Sequence, residues 1–125
     1  MIQVARLEDS LKKLGHCDLK NEYMKSAAER LMQIAIEEVM NIGNHIISGN
    51  GLRKAESYRD IFKVLAEHKI ISVKMSDELQ QFAVFRNRMV HLYWKISDEE
   101  FKIQFTKVKI LRDFVKKVVR YSVMR

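Results

Sequence analysis

Phe82-Ala83-Val84-Phe85-Arg86-Asn87-Arg88-Met89-Val90-His91-Leu92-Tyr93 is the stretch from which both the architecture and the chemistry of the chain are read. Each residue of an α-helix advances by about 100°. Phe82, Phe85, Met89 and Leu92 therefore fall on one line, which is the core face of an amphipathic helix. Arg86 and Tyr93 lie within about 20° of each other, while Asn87 and His91 share a line about 100–140° further round. All four polar groups occupy the half turned away from the core line, with Ala83, Val90 and Trp94 among them. A face that mixes small and apolar residues with Arg, Asn and His is not patterned for water. It predicts a second buried contact, most simply the same helix of another copy across a two-fold axis.

Outward from this stretch the periodicity stays helical. Ile2, Val4, Leu7, Leu11 and Leu14 mark a helix over 2–15, which Gly15 ends. A longer helix runs from about Leu19 or Asn21 to Ser48, although Ser26 with Glu29 resembles a capping box and allows a later start. Ala28, Leu31, Ala35, Val39, Ile42 and Ile46 form its apolar stripe, and Met32, Ile36, Met40 and Ile47 widen it, as in a central bundle helix. Asn41, Asn44 and His45 near its end serve ordinary hydrogen bonding or support a site. Ser48-Gly49-Asn50-Gly51 breaks the pattern.

The third helix, 55–68, is expected to bury Tyr58, Ile61, Phe62 and Leu65, with Ile70 and Ile71 as an apolar plug after it. Ser76 before Asp77 and Glu78 predicts the start of the fourth helix. Ser97 with Glu100 starts the fifth and closes the fourth near Lys95. The chain has 125 residues and no proline. Together these observations predict a single all-α domain over 1–125, an up-down bundle of about five helices.

The net charge of +7 is unevenly placed. Residues 101–125 carry eight Lys or Arg against Asp113 alone, while the other hundred residues balance at fifteen of each sign. The whole excess therefore lies on the last helix, either as a plain solvated face or as a stripe that attracts a polyanion such as RNA. The one cysteine, Cys17, cannot form an internal disulfide, which fits a reducing cytoplasm. No apolar run is long enough to span a bilayer, and the charged opening MIQVARLEDSLKKLG is not patterned as a secretory signal. His16 and Cys17 have no second pair at ligand spacing, so no metal site is expected.

Cleavage of RNA by internal transesterification requires a base for the 2′-hydroxyl, an acid for the leaving 5′-oxygen and donors for the phosphorane. Imidazole serves as either acid or base, and two imidazoles serve as both. The planar fork of arginine matches phosphate oxygens. Within one helix Arg86 and His91 diverge by roughly 140°, so a two-fold pair of chains would be needed to gather two of each around one cleft. Asn87 would donate to phosphate or orient an imidazole. The paired acids Glu37-Glu38 and Asp98-Glu99-Glu100 are read as solvation and capping rather than as an acid/base pair.

The pattern Arg86-Asn87-…-His91-Leu92-Tyr93 resembles the R-x4-H-x-Y signature of the HepT-like branch of the HEPN superfamily. Glu29-Arg30-Leu31-Met32-Gln33-Ile34-Ala35-Ile36-Glu37 and Asn41-Ile42-Gly43-Asn44-His45-Ile46-Ile47 resemble the start and end of that family's second helix. Ser57-Tyr58-Arg59-Asp60-Ile61-Phe62 with Leu65, then Ile70-Ile71, resembles its third helix and following loop, and Ile96 and Asp98 follow the signature as in the family.

The resemblance implies a homodimeric, metal-independent endoribonuclease without a cofactor, the toxin of a type VII-like toxin–antitoxin pair. It assigns catalysis to Arg86 and His91 with Asn87 beside them. It implies an MNT-type nucleotidyltransferase antitoxin as partner, which would silence the toxin by adenylylating Tyr93. Adenylylation would add charge and bulk beside Arg86. The alternatives from the same residues are a non-catalytic HEPN subunit that binds nucleotide or substrate for a nucleotidyltransferase, and a structural helical dimer without an active site.

Overall fold

Four helices begin at a side chain that takes the place of a missing backbone carbonyl. Asn21 accepts from the N–H groups of Tyr23 and Met24 at 3.0 and 3.2 Å. Ser57, Ser72 and Ser97 each accept from the N–H three residues on, at 3.1, 3.0 and 3.1 Å. The computed structural model describes residues 2–91 and 96–124, and these form α1 (Ile2–Gly15), α2 (Glu22–Gly49), α3 (Tyr58–Glu67), α4 (Val73–Val90), α5 (Asp98–Thr106) and α6 (Lys109–Met124). Among the described residues there is no strand, and no helix is long and apolar enough to cross a membrane.

The central helix is α2, as its wide apolar stripe predicts. It packs against α1, α3, α4 and α6. Its first residue follows Asn21, so the earlier of the two possible starts is the one adopted. The core gathers Leu7, Leu11 and Leu14 of α1, Met32, Ile36 and Ile42 of α2, Phe62 and Leu65 of α3, Leu79 and Phe82 of α4, and Phe114 of α6. Phe62 and Phe114 meet edge to face at 6.3 Å.

Two helices end on a left-handed residue that turns the chain back to the core. After α2 this is Gly51 (φ 63°), and Leu52 N–H donates to the Ile47 carbonyl at 3.0 Å. After α3 it is Lys69 (φ 60°), and Ile70 N–H donates to the Leu65 carbonyl at 3.0 Å. That reversal buries Ile70 and Ile71 to 6% and 3% exposure, the expected plug.

Five of these expectations are corrected. The fourth helix starts at Ser72 rather than Ser76, which is buried inside α4 and accepts from Gln80 Nε2 at 3.0 Å. Tyr58 is 48% exposed rather than core, because Ile61, Phe62, Val64 and Leu65 already fill the inner face of α3. Ala83 is 2% exposed within the single chain, because α3 covers this side of α4. No second copy is needed there.

The last helix is broken at Lys107–Val108 into α5 and α6. The break lets Phe101 pack on Phe85 (6.5 Å between rings) while Leu111, Phe114, Val115 and Val118 of α6 still face the core. The fourth helix is also shorter than expected: α4 closes at Val90, and Leu92 to Lys95 lie outside the described residues.

Gly43 sets how closely α3 approaches α2. A Cβ there would lie 2.5 Å from Ile61 Cγ2. Gly43→Ala is expected to lower stability by about 1–2 kcal/mol despite the better helix propensity of alanine. Thermal unfolding checks this, and a raised midpoint would contradict the close packing.

Arg53 ties the loop before α3 along that helix, to Asp60 at 2.7 Å and Glu67 at 2.8 Å. Arg53, with help from the Glu56 N–H, holds the Asp60 carboxyl down to about 2 from its ordinary 3.8. A depressed native pKa contributes stability above the unfolded value, and this is lost as pH falls through the native one. The wild type is therefore expected to lose stability more steeply than Arg53→Met between pH of about 4 and about 2. Superimposable acid-unfolding profiles of the two proteins would contradict this.

Candidate functional site

Arg86, Asn87 and His91 are brought to the C-terminal end of α4. Arg86 faces inward between helices and is held from two sides. Its Nε and Nη2 donate to the same Glu37 oxygen, Oε2, at 3.1 and 2.7 Å. Its Cζ lies 5.3 Å from the centre of the Tyr58 ring, a cation–π contact. Nη1 is 3.4 Å from Asn87 Oδ1. The guanidinium thus joins α2, α3 and α4, and it is half-buried with a counterion in place.

His91 caps α4, and its backbone N–H donates to the Asn87 carbonyl at 3.0 Å. Its backbone is extended (φ −89°, ψ 112°), so the chain leaves the helix at this residue. Helical arithmetic for α4 therefore extends no further than this residue. His91 is exposed, as are Asn87 and Val90. The fourth candidate, Tyr93, lies outside the described residues.

The open side of this end of α4 borders a groove of about 440 Å³ lined by Asn44, Tyr58, Ile61, Ala83, Val84 and Asn87. Asn44 therefore does stand near the site, while Asn41 and His45 are exposed on α2. Arg59 and Val84 also border a second groove of similar size, which reaches Gln81, Arg88 and Gln104. Arg88 is paired with Glu100 at 2.6 Å, which anchors α5 to α4. Lys25 pairs with Asp98 and anchors α5 to the start of α2.

The sequence reading missed Glu37 and Tyr58. Pairing with Glu38 suggests solvation for Glu37, yet it is the partner of Arg86. Its signal was an acid embedded in the apolar run Ile34-Ala35-Ile36 of a helix covered on several sides. Tyr58 fits the apolar spacing of α3, which points to the core. Its position in the first turn of α3, level with the end of α4, instead makes it a lid on the guanidinium.

A family model described as Ribonuclease HepT-like matches residues 2–118. The putative RNase YutE of Bacillus subtilis (strain 168) is 30% identical over 105 residues, which cover 83% of this chain and 73% of that protein. The tRNA nuclease HepT of Aphanizomenon flos-aquae (strain 2012/KM1/D3) is 29% identical over 97 residues, 72% of this chain and 64% of that one. The fold matches that of the tri-AMPylated Shewanella oneidensis HEPN toxin, solved in complex with an MNT antitoxin, at a TM-score of 0.83 and 22% identity. That match covers 94% of each chain. With a family model matching nearly the whole sequence, this chain belongs to the HepT-like ribonuclease family.

Proposed function

We propose that the chain is a metal-independent endoribonuclease, the toxin of a type VII-like toxin–antitoxin pair, with Arg86, Asn87 and His91 as its catalytic residues. The observation that carries this reading is a guanidinium fixed by Glu37, a carboxamide that lines a groove and an exposed imidazole, all carried on the last turns of one helix. Membership in a ribonuclease family and likeness to a tRNA nuclease support RNA as the substrate.

The site is composite. Val84 and Val90 of α4, at 42% and 40% exposure, are apolar positions left open for a second copy. Two-fold pairing there would bring two Arg86 and two His91 around one scissile phosphate. One imidazole takes the proton of the 2′-hydroxyl, whose oxygen attacks phosphorus. Arg86 and Asn87 donate to the phosphorane oxygens as charge builds. The 5′-oxygen leaves with the proton of the other imidazole, giving a 2′,3′-cyclic phosphate and a 5′-hydroxyl end.

The cations Lys102, Lys107, Lys109, Arg112, Lys116, Lys117 and Arg120 are exposed, and none is in an ion pair among the described residues. They give the protein a surface that attracts a phosphate backbone.

The partner in this reading is an MNT-type nucleotidyltransferase that adenylylates Tyr93. The related Shewanella toxin is AMPylated and bound to such an antitoxin, which supports the assignment. Adenylylation two residues from His91 would place bulk and negative charge where the RNA phosphate must enter.

Purified, unmodified protein in excess chelator is expected to cut RNA and to leave cyclic phosphate ends. His91→Ala should lose at least about a hundredfold in rate. Arg86→Lys should also lose activity, because an ammonium lacks the fork. Absence of cleavage by the wild type, or full activity in His91→Ala, would overturn the proposal.

A further inference from the structure

A guanidinium has two edges that can each grip a pair of oxygens: the side edge, Nε with Nη2, and the end edge, Nη1 with Nη2. In this protein Glu37 occupies the side edge, with both donors on Oε2. Tyr58 lies against the flat face, 5.3 Å away. The end edge is only weakly engaged, through Nη1 at 3.4 Å from Asn87 Oδ1. A long, flexible side chain is thus fixed in direction and in plane, with its remaining fork turned toward Asn87, which lines the groove.

We infer that Glu37, with Tyr58, is a positioning residue that aims the end edge of Arg86 at the scissile phosphate; the inference rests on the ribonuclease reading. The donor count decides between this role and the opposite one, a carboxylate latch that substrate has to displace. A latch would occupy the edge that phosphate needs. Glu37 leaves a complete two-nitrogen fork free, and a phosphate on that fork completes the coordination of the guanidinium without expelling the carboxylate. Glu37 comes from α2 and Tyr58 from α3, so the aim of Arg86 is set by the packing of the bundle rather than by α4 alone. This also explains an acid beside a site that must bind a polyanion. Its cost in electrostatic attraction is accepted for a fixed fork.

The two roles separate in kinetics. Removing the carboxylate charge makes the site more positive, so electrostatics alone would tighten RNA binding. Positioning predicts a loss in kcat instead. In Glu37→Ala, kcat is expected to fall by about ten- to a hundredfold, with KM unchanged or lower. Glu37→Gln keeps one acceptor and should recover part of that loss. Tyr58→Leu, which removes the π face, should show a milder fall in kcat.

The geometry is read independently by the ¹⁵N–¹H signal of Arg86 Nε, identified by its absence in Arg86→Lys. It is expected to be slow-exchanging in the wild type and to move toward the solvent-exposed arginines in Glu37→Ala. An unchanged signal, or a kcat equal to or above wild type in a folded Glu37→Ala, overturns the inference, and a raised kcat would identify a latch. Should the wild type cut no RNA, the functional proposal falls, and the Arg86 signal still decides the clamp by itself.

Discussion

A guanidinium at 17% side-chain exposure, wedged between three helices, must be neutralised where it sits. Much of the local arrangement follows from that constraint. Glu37 has to stand on α2 level with the last turns of α4, and α3 has to start close enough to lay Tyr58 over Arg86. Gly43 permits the approach, since any side chain there would collide with Ile61 and push α3 outward. The capped start of α3 at Ser57 then places Tyr58 in the first turn, where its ring reaches the end of α4. One polar contact thus depends on an apolar one a turn and a half away along α2, which is how a packed core fixes the geometry of a site.

The architecture was legible because most of it is written in local signals. Ser97 caps its helix as its chemistry predicts, the second helix starts at the earlier of its two possible positions, Ile70 and Ile71 fold back, and the line Phe82–Phe85 is buried. The errors have physical causes. Ser76 and Ser72 are equally good caps, and only the packing of Ser76 onto Gln80 inside the helix separates them. The break at Lys107–Val108 carries neither Gly nor Pro. Thr106 Oγ1 donating to the Ile103 carbonyl at 2.7 Å and the pull of Phe101 toward Phe85 mark it only in three dimensions.

The site was legible in part. Arg86, Asn87 and His91 stand out by residue type and spacing, and they do share one end of α4. Glu37 lies 49 positions from Arg86 along the chain, and nothing local to either residue announces the pair. The helical wheel also misassigned the polar half of α4. Its Ala83 side belongs to α3 of the same chain, while Val84 and Val90 remain open. The surface available to a second copy is therefore smaller than the sequence suggested and lies closer to the candidate catalytic residues.

The central claim is that one active site is built from two copies of the chain, each supplying one of its two imidazoles. Mixing wild type with an equal amount of inactive His91→Ala, and allowing subunits to exchange, tests it directly. Half of the pairs are then mixed and hold only one imidazole at the cleft. RNA cleavage should fall to about a quarter of that of the same total amount of wild type, since only a quarter of the pairs keep both imidazoles. A fall to one half, with exchange shown by mass, would contradict a shared site, because a site built within one chain is indifferent to its partner.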